Sequence, residues 1–212
     1  MSDTIKGGII TAFDLVSDEV KKTFREAPAV HEEQTDNVFD GGITCAITSL
    51  SMLCQSKGMK PGEVRTPQHL EDKILKDIRD NLITYKTAAV TLGLGEKTEQ
   101  GLRTDFNFLK WYAGEKLGLK LKLDGLSYKQ WISKIATTNQ CFMSSTSSAL
   151  TASGHIILIR GCFLHGDAIT ILANDPYGVY PYHKTKGGES VAYPASMFPD
   201  AGKTYYTLSY AD

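Results

Sequence analysis

The hydrophobic pattern of this chain changes period near residue 140, and that switch constrains the fold more than any other feature. Upstream, apolar residues recur at the spacing of a helix face. Val16, Val20 and Phe24 form a short stripe that "REAPAV" ends at Pro28. Ile47, Leu50, Leu53 and Cys54 mark a second helix, with Thr44 as N-cap and Gly58 past its end. Leu70, Ile74, Leu75, Ile78 and Leu82 make a third, opened by Thr66 and Pro67. A fourth lies in "TDFNFLKWYAGEKLGL", with Phe106, Leu109, Trp111 and Tyr112 mostly inward. In "LSYKQWISKIATTNQ", Ser127 and Gln130 suit a capping box, with Leu126 and Trp131 as a hydrophobic staple. Downstream the runs become strand-like: "CFMSS", "HIILIRGCFL", "AITILAND" and "KTYYTLSY", the middle two joined by "HGD". Helices first and an antiparallel sheet second is an α+β pattern.

The expected organisation is one domain over residues 1–212, with an N-terminal extension over 1–30 and a helical insertion over 59–120. Lysine plus arginine is 23 against 24 acids, a net charge of −1, which offers no footprint for nucleic acid or an anionic membrane. No apolar run is long enough for a membrane span. The N-terminus lacks a basic region followed by an apolar one, so the expectation is a protein made and folded in the cytosol. Cysteines stand at 45, 54, 141 and 162, too sparse for a disulfide framework. Cys162 and His165 have a ligand-like spacing, but no second close pair joins them, so neither zinc nor any other cofactor is expected.

One cysteine is set apart by its position. In "GGITCAITSLSMLCQSKG", Cys45 falls where a glycine-rich loop becomes the first turn of a helix. There the unpaired backbone N–H groups and the positive end of the helix dipole favour thiolate over thiol. The same N–H groups suit an oxyanion on a substrate carbonyl. A nucleophile also needs a base. His155 opens an apolar strand in "SGHIILIRG", and the end of the next strand, "ILANDPYG", offers Asp175 or Asn174 to accept the imidazole Nδ1–H. Neighbours on a strand point to opposite faces, so one of the two serves, and the full charge of Asp175 favours it. Gln34, in "HEEQTDN" eleven residues before Cys45, is a candidate second oxyanion donor. Cys54, Cys141 and Cys162 are expected to be inert, and His183 reads as a solvated loop histidine ahead of a substrate contact.

A loop Gln, a Cys at a helix start, a Gly-His strand and an Asn/Asp at the next strand's end, in that order, resemble the papain-like cysteine peptidases. "GGITCAITSLSML", "SGHIILIRG" and "ANDPYG" resemble more narrowly the branch related to bacteriocin leader peptidases, which cut after double glycine and have stand-alone members in bacteria and phages. The resemblance implies a papain-like fold, with Cys45 as nucleophile, His155 as base and acid, Asp175 as orienter and Gln34 as oxyanion donor. It implies a peptide substrate, or the peptides of peptidoglycan, and a phage lysin or virion-associated setting. The Gln-to-Cys gap is longer than that family's usual one, and residues 59–120 match no motif of it. Two other functions use the same chain: an acyl transferase with the same triad, and a binding, inhibitor or virion module that keeps only the fold. The sequence carries no indication of oligomeric state.

Overall fold

Both faces of the middle of the sheet are covered, which is why "HIILIRGCFL" and "AITILAND" are nearly continuous apolar runs. In the computed structural model, which describes residues 25–40, 42–60, 69–165, 168–181, 187–200 and 202–211, alternate strand residues enter different cores. Met143, Ile156, Leu158 and Leu208 belong to one, and Phe142, Ile157, Ile159 and Tyr205 to the other.

The strands are β1 (Arg25–Glu26), β2 (Leu121–Leu126), β3 (Phe142–Ser145), β4 (Ile156–His165), β5 (Ala168–Asn174), β6 (Val191–Pro194) and β7 (Tyr205–Tyr210). They pair antiparallel in the order β2-β7-β3-β4-β5-β6, with β1 added on β4 at Gly161 and Cys162. The last strand in sequence therefore lies inside the sheet, where Leu208 faces Leu123 on one side and Met143 on the other. β4 and β5 close as a hairpin at His165 and Ala168, while Gly166 and Asp167 of "HGD" lie outside the described residues.

Helices α1 (Cys45–Ser56), α2 (Leu70–Asp80), α3 (Leu82–Thr91), α4 (Glu99–Thr104) and α5 (Phe106–Leu117) contribute to the first core. α6 (Tyr128–Thr137) covers the second, burying Trp131 and Ile135. Its capping box forms as expected: Gln130 N–H donates to the Ser127 hydroxyl, and Ser127 N–H donates to Gln130 Oε1 at 3.0 Å. Trp131 then stacks on Tyr205 with ring centroids 4.3 Å apart, fixing α6 to the sheet. The α+β class is the observed one.

Local boundaries differ from expectation for physical reasons. The third expected helix starts at Leu70, with His69 at its cap position; Thr66 and Pro67 lie outside the described residues, as does the Val16–Phe24 stripe. It ends before Asn81, whose side-chain amide donates to the Asp77 carbonyl at 3.1 Å and competes with the helical ladder. The fourth is α5, and α4 before it is a helix beyond the expected set. Asp105 accepts from the N–H groups of Asn107 and Phe108 at 2.9 and 3.2 Å, so it caps α5 and ends α4. β2, from "LKLDGL", and β6, from "VAYP", are strands beyond the expected set. Among the described residues no helix is long and apolar enough to cross a membrane.

Candidate active site

α1 lies against β4, and the Ser49 hydroxyl donates to the Ile156 carbonyl at 3.1 Å, tying helix to strand. That contact puts the first residue of α1, Cys45, near the start of β4. Thr44 occupies the cap position, but its hydroxyl makes no cap bond and accepts instead from Asn37 Nδ2 at 2.6 Å. The first turn of α1 therefore keeps N–H groups that no side-chain cap consumes.

Antiparallel pairing sets the beginning of β4 beside the end of β5, with Leu158 opposite Asn174. His155 and Asp175 flank those strand ends, and His155 Nε2 is 2.7 Å from Asp175 Oδ1. A carboxylate only accepts, so Nε2 carries the proton and donates it. This corrects the expectation that Nδ1–H faces the carboxylate. Nδ1 is the nitrogen left for Cys45, which lines the same cavity and helps to raise the imidazole pKa. Two bonds from Thr146, its N–H at 2.9 Å and its hydroxyl at 3.1 Å, hold the His155 carbonyl.

Asp175 is wholly buried and accepts hydrogen bonds on both carboxylate oxygens. Oδ1 also accepts from Tyr177 N–H at 2.9 Å, and Oδ2 accepts from the Tyr193 hydroxyl at 2.8 Å. Asn174 serves elsewhere. Its amide donates to the Val30 carbonyl at 2.7 Å, and its Oδ1 accepts from Arg160 Nη1 and Ser190 N–H. The main chain of the Asp175 turn is pinned in turn. His31 Nε2 donates to the Asp175 carbonyl at 3.2 Å, and Gln34 N–H donates to the Pro176 carbonyl at 2.7 Å. Those bonds bring the loop glutamine, distant in sequence from the strands, into the cavity of Cys45 and His155. That cavity, about 410 Å³, is lined by Gln34, Ile43, Cys45, Gln100, Thr104 and His155 among others.

Electrostatics follow from this packing. Burial alone would lower the His155 pKa, but the Asp175 charge and hydrogen bond, helped by Cys45, raise it to about 10. Burial pushes the Cys54 thiol up to about 12, with a contribution from Glu32, and the Cys141 thiol up to about 11. Cys162 is buried and its thiol faces the Ile135 carbonyl at 3.7 Å. The side chain of its proposed metal-binding partner His165 lies outside the described residues, as does His183. Among the described residues, His69, Glu71 and Asp72 have ligand atoms within 4.8 Å of one another, but none of them lines the Cys45 cavity.

Glu32, two residues before Gln34, is 5% exposed. Burial, and behind it the Glu71 carboxylate, raises its pKa to about 8 against a Ser51 hydrogen bond that lowers it. The folded chain thus keeps a proton the unfolded chain has lost, and stability falls as pH rises from 4.5 towards 8. The His155 contribution has its own window. It is complete below the ordinary imidazole value of 6.5 and is lost as pH rises through about 10. Calorimetry should therefore show a melting temperature that declines in two overlapping stages with increasing pH. Glu32→Gln should remove the lower stage and leave the upper one.

Several of these residues carry no local sequence signal. Tyr193 is one more strand aromatic, and His31 sits in an irregular polar stretch. Gly188 did offer one in the pair Gly187–Gly188: a Cβ on it would lie 1.8 Å from the Asp175 carbonyl oxygen. Paired glycines mark such close backbone approaches.

A helix-start cysteine beside a histidine bonded to a buried carboxylate, on this α+β scaffold, is the arrangement that the resemblance to papain-like cysteine peptidases implies. Residues 28–206 match the sequence family described as "Peptidase_C39 like family". The chain belongs to that family. No curated protein matches the sequence. Among solved structures it is similar to "Crystal structure of UfSP from C.elegans", with a TM-score of 0.52 and 15% identity. That likeness takes in 96% of this chain, which spans 36% of the other protein's length, and it is a likeness of fold.

Proposed function

We propose that the protein hydrolyses a peptide or amide bond through a Cys45–His155–Asp175 triad and a thioester acyl-enzyme. The observation that carries this reading is the 2.7 Å bond from His155 Nε2 to buried Asp175, which leaves Nδ1 for Cys45. The Cys45 sulfur attacks the carbonyl carbon, and the oxygen takes the negative charge. The first-turn N–H groups of α1 and the Gln34 amide face that oxygen. Nδ1–H of the imidazolium passes its proton to the leaving nitrogen as the C–N bond breaks. Water then attacks the thioester, giving its proton to Nδ1, and the Cys45 sulfur departs. Asp175 keeps the ring oriented and stabilises its cation without itself taking the proton.

The bacteriocin-processing-like branch, a bacterial or phage setting and peptidoglycan peptides as substrates rest on the sequence resemblance and on analogy with related amidases. Stem peptides and cross-links are accordingly the first substrates to assay. Adding an amine to those assays separates hydrolysis from acyl transfer.

Site-resolved alkylation with iodoacetamide tests the reading directly. At neutral pH Cys45 should react well ahead of Cys54 and Cys141, whose thiols stay protonated. His155→Ala should slow Cys45 alone. Equal rates at all these cysteines would reduce Cys45 to a packing residue and favour a binding module. Gln34→Ala should lower kcat by about two to three orders of magnitude with little change in melting, the signature of a lost oxyanion donor.

A further inference from the structure

The Cys45 cavity has one wall that the chemistry leaves unused. It is α4, supplied by the helical segment between α1 and β2. α4 buries Leu102 and Arg103 and exposes Gln100 and Thr104, one turn apart, to the cavity. Its orientation is fixed from behind. Arg103 Nη1 pairs with Asp40 at 3.3 Å, and Asp40 also pairs with Arg79 of α2 at 3.2 Å. The Arg79 guanidinium lies 4.6 Å from the centroid of the Phe39 ring. α4 is thereby anchored to the loop that leads into Cys45, and its exposed face keeps a set distance from the nucleophile.

The Thr104 hydroxyl donates to the Gln100 carbonyl at 3.0 Å, turning back on its own helix. The Gln100 amide is thus the polar group this wall presents. Ile43, 44% exposed, adds an apolar surface, and Thr151 and Ser153 add neutral polar ones. Apart from His155, no Asp, Glu, Lys, Arg or His lines the cavity among the described residues. A charged substrate side chain entering it would lose water and gain no counter-ion, whereas a neutral one loses little.

We propose that the exposed face of α4 is the specificity wall of the cleft, with Gln100 contacting a substrate residue that is uncharged. This rests on the peptidase reading above and assigns Gln100 to selection, not to bond making. The helical segment then acts as the part of the chain that chooses the peptide.

The test is a quenched-peptide library on the full chain, each position flanking the scissile bond being in turn neutral, acidic or basic. Wild type should prefer neutral residues at one or more of these positions. Gln100→Glu should shift the kcat/KM ratio there towards basic peptides by about tenfold, and Gln100→Lys towards acidic ones. Melting curves establish that both variants are folded. Thr104→Val, which removes a hydroxyl already satisfied within the helix, is the second probe and should leave the charge ratios as in wild type. Unchanged ratios in both Gln100 variants, or a wild type indifferent to charge at every position, overturn the proposal. A wild type that cleaves no peptide, with Cys45 no more reactive than Cys54, overturns the peptidase reading and this proposal with it.

Discussion

Cys45→Ala should abolish peptide hydrolysis, with a loss of about six orders of magnitude in kcat wherever residual turnover is measurable. His155→Ala should cost about as much alone as it does combined with Cys45→Ala, because the two groups act as one unit. The size of the effect follows from the proposed mechanism, in which no other group supplies either the nucleophile or the proton. Melting temperature separates this from misfolding. Cys45 is only partly buried, so the alanine chain should melt close to wild type. His155 is 5% exposed and bonded to Asp175, so its removal leaves a buried carboxylate short of one donor and should lower the melting temperature. Loss of activity in Cys45→Ala with unchanged melting would identify the sulfur as the reacting group. Full activity in that variant would end the triad mechanism.

Gly188→Ala should be the most damaging single-methyl change near the site. The new Cβ would lie 1.8 Å from the Asp175 carbonyl oxygen and 2.8 Å from its carbon, both of them backbone atoms that cannot rotate away. Relief requires separating the Gly188 strand approach from the Asp175 turn, and Asp175 N–H donates to the Gly188 carbonyl at 2.8 Å across that junction. The cost should be about 3 kcal/mol or more in unfolding free energy. Activity should fall further than stability does, since the same movement pulls Asp175 from His155. Denaturant titration beside kcat gives both numbers. A variant with wild-type stability and rate would show that the two segments part freely.

Much of the candidate site was legible because its positions are local. A cysteine at the first turn of a helix, a histidine before an apolar strand and a carboxylate after the next strand follow from hydrophobic period and turn residues alone. Strand alternation posed the choice between Asn174 and Asp175. What separated them was the contact each side chain makes: Asn174 with Val30, Arg160 and Ser190, Asp175 with His155, Tyr177 and Tyr193. The ring nitrogen that faces the carboxylate had no sequence signal, and the expectation of Nδ1 was reversed. Helix limits inside 59–120 were legible only in part. Asn81 ends a helix through its own hydrogen bonds, and the apolar stripe runs across that break to Leu82 unmarked.

By itself the sequence determined the α+β class, the switch from mostly helical to mostly strand character near residue 140 and the helix-start position of Cys45. Each of these depends on hydrogen bonding and burial within one element, so a short window contains the whole cause. Only the tertiary structure decided that the final strand runs inside the sheet, that Gln34 is pinned beside the Asp175 turn, and that α4 walls the cavity. Those outcomes depend on strand order and on contacts between residues far apart in the chain. No local period encodes them, because their energy exists only once the whole sheet and both its cores have formed.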